Sequence, residues 1–267
     1  MKKYISLHII ILYVMISFIN VSCSFKSKTI FEKNPQLLAE IKADLASNRW
    51  DIRLAGLRKL HDTGEYKQLP EAEHLILTAS FDTHSLVRIE TIHMLAELKT
   101  PITIDRILSL AQGDTNNNVK WQAIIALGTL KERQAIPILI EATRADDWLI
   151  REAAYKAINR IALPTDKEKL AHVIVGGILD PVTAVKCAAL YNIPFYHPDI
   201  YNAIRLVLLQ PNIPQNLLVA CFNALSGYAL DPTVREILVN HLVDRDPQIR
   251  ILALRILRLD NTYHKRN

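Results

Sequence analysis

Aliphatic residues open a recurring pattern at Ile52, Val87, Val119, Ile150, Val185, Leu217 and Ile249, in steps of 35, 32, 31, 35, 32 and 32 residues. Counting each opener as place 1, place 5 is small (Gly56, Thr91, Ala123, Ala154, Ala189, Cys221, Ala253) and place 9 is aliphatic (Leu60, Leu95, Leu127, Ile158, Ile193, Leu225, Leu257). Place 12 is hydrophobic in Leu98, Leu130, Ile161, Tyr196 and Tyr228. These places share one face of a helix. Place 6 is apolar in every copy (Leu57, Ile92, Ile124, Tyr155, Leu190, Phe222, Leu254). A helix with two apolar faces needs two packing partners. Shorter apolar segments at 37–45, 72–77, 102–111, 136–142, 170–179, 200–209 and 234–243 supply the other helix of each pair. Pro70, Pro101, Pro137, Pro164, Pro198 and Pro232 stand near their starts, where the missing N–H costs nothing. The pattern predicts an all-α array over residues 35–262, an α-solenoid of about seven antiparallel helix pairs.

Charge follows the same register. Place 2 is Arg53, Arg88, Lys120, Arg151, Lys186, Leu218 and Arg250. Five residues before the opener stand Ser47, Asp82, Asp114, Ala145 (with Asp146 beside it), Asp180, Asn212 and Asp244. All but Ala145 are helix-capping types, placed to close the orphan N–H groups of the helix that follows. Taken alone, the basic places suggest an anion-binding stripe. Together with the acids they read as internal bracing.

This Asp, aliphatic and base spacing resembles the HEAT repeat, especially the short HEAT-like units of phycobilin lyases, over residues 35–260. The resemblance implies a right-handed HEAT/ARM-like superhelix whose second helices line the concave side. It also implies a charge ladder between adjacent repeats, using Asp82, Asp114, Asp180 and Asp244 with Arg53, Arg88, Lys120, Arg151, Lys186 and Arg250.

Two departures mark where the frame gives way. The sixth unit has Leu218 for the base and Asn212 for the acid, and the fifth has Pro194 just after place 9, which should end its helix early. The segment YNIPFYHPDIY holds Tyr191, Phe195, Tyr196, His197 and Tyr201. Place 7 varies freely: Arg58, His93, Ile125, Lys156, Tyr191, Asn223, Arg255. That row, with Phe195, Tyr196 and Tyr201, is the candidate partner surface. A binding face and a plain solvent face both look like this, and a repacked turn would also account for the 191–201 segment.

The N-terminus places the array outside the cytoplasm. Residues 1–22 carry Lys2, Lys3 and an apolar run from Ile9 to Ile19, in the form of an export signal. Val21, Ser22 and Cys23 resemble the end of a bacterial lipoprotein signal, with Asn20 where that family has Leu. The resemblance makes Cys23 the lipidated residue and residues 23–34 a tether on a cell-envelope membrane. An uncleaved anchor and cleavage near Ser24 without lipid are the other readings. The remaining thiols, Cys187 and Cys221, sit two places apart in the repeat, so they face different directions and read as small core residues rather than a disulfide.

Half of the chain is hydrophobic, with seven glycines, and the formal charge is +5, or +3 without Lys2 and Lys3. Charge this mild and this dispersed does not suit a nucleic-acid face. No Gly-rich phosphate loop or paired-Cys metal spacing is present after Cys23. The nine histidines form no His-Glu pair, which counts against the deoxyhypusine hydroxylase branch of HEAT-like enzymes. Trp50 and Trp148 recur at one repeat position and Trp121 lies on a packing surface, unlike the groove aromatics of HEAT-like alkylpurine glycosylases. Neither catalytic residues nor a cofactor or metal is expected. The expected function is a membrane-tethered extracytoplasmic scaffold that binds a protein or peptide on its concave face. The alternative is a lyase-type or chaperone protein holding a small molecule in the 191–228 region.

Overall fold

The computed structural model describes residues 29–264, and every element among them is helical. Cys23 and the leader lie outside the described residues. No helix among them is long and apolar enough to cross a membrane. The chain divides into two compact units, residues 1–72 and 73–267.

In the first unit, α1 (Ile30–Lys33) and the pair α2 (Pro35–Leu45) and α3 (Trp50–Asp62) are followed by a 3-10 turn at Tyr66–Gln68. The tether read over residues 23–34 is ordered where it is described. Thr29 and Glu32 form a reciprocal capping box, the Ile30 N–H donates to the Glu65 carboxylate at 2.5 Å, and Phe31 is buried. An apolar side chain with a core to enter and two satisfied N–H groups holds a single helical turn that has no period to announce it. Gly56 lets α3 approach α2: a Cβ there would lie 2.8 Å from the Asp44 Cβ.

The second unit is six further helix pairs: α4 (Ala72–Ala79) with α5 (Ser85–Leu98), α6 (Pro101–Gly113) with α7 (Asn117–Leu130), and α8 (Ile136–Ala142) with α9 (Trp148–Ile161). Then come α10 (Lys167–Ile178) with α11 (Thr183–Leu190), α12 (Pro198–Leu208) with α13 (Gln215–Ala224), and α14 (Pro232–Asn240) with α15 (Pro247–His264). From α7 onward each second helix packs on its own first helix, and α5, α7, α9, α11 and α13 each pack on the next second helix, as two apolar faces require. The small place 5 residues Thr91, Ala123, Ala154, Ala189, Cys221 and Ala253 are all fully buried. Gly128 lets α7 cross close to α9: a Cβ there would lie 2.9 Å from both Cα and Cβ of Ala157.

The acids five residues before each opener do not cap helices. Second helices start two residues before the opener, so these acids stand two residues outside the cap. His84, Asn116 and Asp147 are the caps, accepting from the N–H of Leu86 (3.3 Å), Asn118 (3.0 Å) and Leu149 (3.0 Å). The acids instead close the turn: Asp82, Asp114, Asp180 and Asp244 each accept the N–H two residues on, all at 2.8 Å. The residue types that cap helices also make such turns, and sequence alone does not separate the two.

The place 2 arginines brace their own unit, and two of them also reach the next one. Arg53, Arg88, Arg151 and Arg250 each donate to the carbonyl six residues earlier, on Ser47, Asp82, Ala145 and Asp244, at 2.9, 2.8, 2.9 and 2.7 Å. Arg88 also grips Asp114 of the next unit through two bonds of 2.7 Å. Arg151 grips Asp180 at 2.8 and 3.1 Å. Lys120 and Lys186 precede units with Ala145 and Asn212 at the acid's place, and neither makes an ion pair among the described residues. Asp244 follows a unit with Leu218, which is buried, at the base's place.

A pH dependence follows. Burial alone would raise the Asp114 carboxyl, but Arg88, the Asn116 N–H and Arg106 together hold it below the usual carboxylate range. Arg133 does the same for Asp166. A group whose pKa is lowered by folding contributes its full stability above its unfolded pKa, near 4, and loses it as pH falls through the folded value. Stability measured by urea unfolding is therefore expected to hold from neutrality to about pH 5 and to drop below about pH 4, with a shallower drop in Asp114→Asn.

Candidate functional site

The second helices α7 and α9 each run 14 residues, whereas α11 runs 8 and α13 runs 10. α11 stops at Leu190. A continued helix would bring the Pro194 ring against the Leu190 carbonyl. The exit is built from outside the unit. The buried Asn159 of α9 donates its amide to the carbonyls of Ala188, Ala189 and Tyr191 at 3.2, 3.0 and 2.8 Å, satisfying the orphan acceptors of the helix end. Asn192 follows with φ 53°. In the sixth unit Gly227 turns the chain at φ 95°, and the Tyr196 ring lies where its Cβ would be. Only glycine meets both demands.

The missing helical turns leave a cleft of about 470 Å3 across α11, α13 and α15. Its walls carry Cys187, Tyr191, Ala220, Asn223, Arg255 and Leu259 from the three second helices and the α11 exit, and Asn192, Tyr196, Ser226 and Tyr228 from the turns. Arg255 is the one cation of the lining, and the lining holds no carboxylate. Its guanidinium donates to the Asn223 side-chain oxygen at 2.9 Å.

The rim is aromatic. Tyr196 meets Tyr228 edge to face at 5.1 Å, and Tyr201 lies 5.4 Å from Tyr228. The Tyr228 hydroxyl accepts the His197 N–H at 3.2 Å. The Tyr201 hydroxyl donates to the Asp231 carboxylate and accepts the Asp231 N–H, both at 2.9 Å. Burial pushes the Tyr201 hydroxyl up to about 12 and raises that of Tyr228, so both are neutral donors at physiological pH. A smaller pocket of about 330 Å3 lies against Tyr196, Tyr201 and Tyr228. Cys187 and Cys221 are unpaired. Burial raises the Cys187 thiol and pushes Cys221 up to about 12, which keeps both protonated.

Of the candidate partner surface, the structure brings Tyr191, Asn223, Arg255 and Tyr196 together in this cleft. Phe195 belongs to the core instead. It is 6% exposed and reaches the cleft only as part of its lining. Tyr201 is committed to Asp231. The rest of the row is elsewhere: His93 pairs with Gln122 at 3.1 Å, Lys156 with Glu152 at 2.7 Å, Ile125 is half-buried, and Arg58 is in the first unit. Sequence reasoning missed Cys187, Asn192, Ser226 and Leu259. A glycine just after the sixth second helix was the available signal. A second cleft of about 470 Å3 lies where Ala145 replaces the ladder acid, but its lining mixes three acids, Glu141, Asp146 and Asp147, with two bases, Lys120 and Arg144, so charges of both signs compete there.

Residues 104–190 match the model of HEAT repeats. No curated protein matches the chain. Among solved structures, the chain is similar to YibA of E. coli at 18% identity, covering 84% of each chain with a TM-score of 0.59. It is similar to the HEAT-like repeats protein of the archaeon Thermococcus onnurineus at 16% identity, covering 85% of this chain and 97% of that one with a TM-score of 0.54. Human deoxyhypusine hydroxylase aligns at 17% identity over 85% of this chain and 96% of that one, but with a TM-score of 0.39. Residues 104–190 thus match HEAT repeats, and the helix pairs, their register and these likenesses give the described residues the fold of an α-solenoid.

Proposed function

We propose that this HEAT-like array is a scaffold, exported and held on a bacterial envelope membrane through a lipid on Cys23, and that it binds a protein or peptide segment in the cleft across α11, α13 and α15. The observation that carries the reading is the cleft itself. It lies where α11 and α13 stop short of the 14 residues of α7 and α9, at ends shaped by Pro194, Asn192, Gly227 and the Asn159 amide. An open trough with exposed tyrosines and side-chain amides suits a chain segment, which needs stacking surfaces and hydrogen bonds along its length.

Pull-down from the envelope fraction, with the wild type beside Asn223→Lys, tests it. A protein retained by the wild type and lost with the variant is expected. A co-purifying small ligand with no protein partner would favour the small-molecule alternative and contradict the proposal. For the tether, mass spectrometry of the mature N-terminus is expected to find an acylated Cys23. An unmodified start at Met1 or after Ser24 would contradict it.

A further inference from the structure

We infer that the cleft reads an acidic peptide: an extended segment whose Asp or Glu side chain meets Arg255 while an aromatic or branched residue packs on Tyr191 and Tyr196. This rests on the peptide-binding reading and names the chemistry of the partner. Three features carry it, each independent of the others.

The first is charge. Arg255 is the one charged side chain of the lining. Its hydrogen-bond partner there is the neutral amide of Asn223, at 2.9 Å. Arg88 and Arg151, which also reach from a second helix to a neighbouring unit, each end on a carboxylate. A guanidinium held by an amide meets no counter-charge in the lining, and its planar fork carries more donors than that one bond uses. A carboxylate supplies the single negative charge and planar acceptor pair that match it. A cationic segment would meet unopposed repulsion, and a phosphate dianion would leave one charge unbalanced.

The second is length. Asn223 and Arg255 take the same repeat place on α13 and α15, and Tyr191 takes it one residue past the end of α11. Neighbouring packed helices stand about 8–10 Å apart, so the row spans roughly 16–20 Å. An extended chain covers that in about five or six residues at ~3.3 Å each. A small molecule would fill one end only, while a segment of that length meets the aromatic end and Arg255 at once. The acid and the aromatic or branched residue should therefore stand roughly five residues apart.

The third is the wall chemistry. Tyr191 and Tyr196 are each 60% exposed, and large exposed rings beside a trough are the rigid, amphipathic surface on which side chains stack. Between them and Arg255, Asn192, Asn223 and Ser226 supply neutral donors and acceptors, which suit the alternating N–H and C=O groups of an extended backbone.

The test is selection of phage-displayed random dodecapeptides on the immobilised full chain, followed by fluorescence titration of the selected peptides. Selected peptides are expected to be enriched in Asp or Glu near an aromatic or branched residue. Arg255→Gln should weaken them at least tenfold, and Glu→Gln or Asp→Asn in the peptide should weaken wild-type binding equally, with no further loss when the two changes are combined. Arg258→Gln, on the same helix but outside the lining, should leave affinity unchanged. C-terminal amidation of the peptide should also leave it unchanged. Loss on amidation would identify a terminal carboxylate and overturn the side-chain assignment. Neutral peptides bound equally well by wild type and Arg255→Gln would overturn the inference and leave the peptide-binding reading standing. Failure of the wild type to select any peptide would overturn both.

Discussion

Arg151→Ala is expected to lower the unfolding midpoint by roughly 6 to 12 °C, taking about 2–4 °C per kcal/mol for a chain of this size. The Arg151 guanidinium holds Asp180 of the next unit at 2.8 and 3.1 Å and the carbonyls of Ala145 and Asp146 at 2.9 Å each. The two side chains keep only 14% and 8% of their exposure. Truncation leaves a nearly buried carboxylate whose remaining bond is the Val182 N–H. Breaking one side of a buried pair costs about 3–5 kcal/mol, and the residual exposure puts this case near about 3. The cost is that of a stranded charge, not the worth of the contact. Arg151→Met combined with Asp180→Leu should therefore recover most of the loss. Arg151→Lys should not recover it, since one ammonium cannot span a bidentate carboxylate and two carbonyls. Thermal unfolding of the four proteins reads this directly. An unchanged midpoint in Arg151→Ala would show that the ladder is ornamental.

Gly128→Val is expected to cost about 3 kcal/mol in urea unfolding, the upper end for overpacking. A glycine inside an exposed helix is normally a weakness of roughly 0.5–1 kcal/mol, so the sign here is set by packing. The added Cβ would meet the Cα and Cβ of Ala157 at 2.9 Å. A Cα cannot swing aside as a side-chain tip does. α7 and α9 would have to separate, and with them the fully buried Leu127 and Ile158. Gly113→Ala beside Gly128→Ala is the matched comparison. Nothing lies within 4 Å of the Gly113 Cβ position, so alanine there should stabilise by about 0.4–1 kcal/mol, whereas alanine at 128 should destabilise. Equal effects at the two sites would contradict the close-crossing account.

These expectations also show what the sequence could carry. Places 1, 5, 6 and 9 were legible because each unit restates the same two-sided demand, and Thr91, Ala123 and Ala154 are buried where the pattern puts them. The 3-10 turns at Arg133–Ala135 and Pro164–Asp166 were not read, since a single turn has no period. Ile193 was read as core and is half-buried at the cleft instead. The reason lies 30 residues or more away: Asn159 satisfies the carbonyls that let α11 end at Leu190. Pro194 and Leu218 flagged the right region, but meeting of Tyr191, Asn223 and Arg255 in one cleft depends on how three units stack. Their common place in the repeat implied a shared row and said nothing of the gap.

Hydrogen–deuterium exchange of the full chain, with and without a saturating acidic peptide selected on it, tests the central claim most directly. The account predicts slower exchange confined to residues 187–196, 220–228 and 255–259, the segments that wall the cleft. Protection over residues 93–156 with none in those segments would contradict it and place recognition on the regular part of the array.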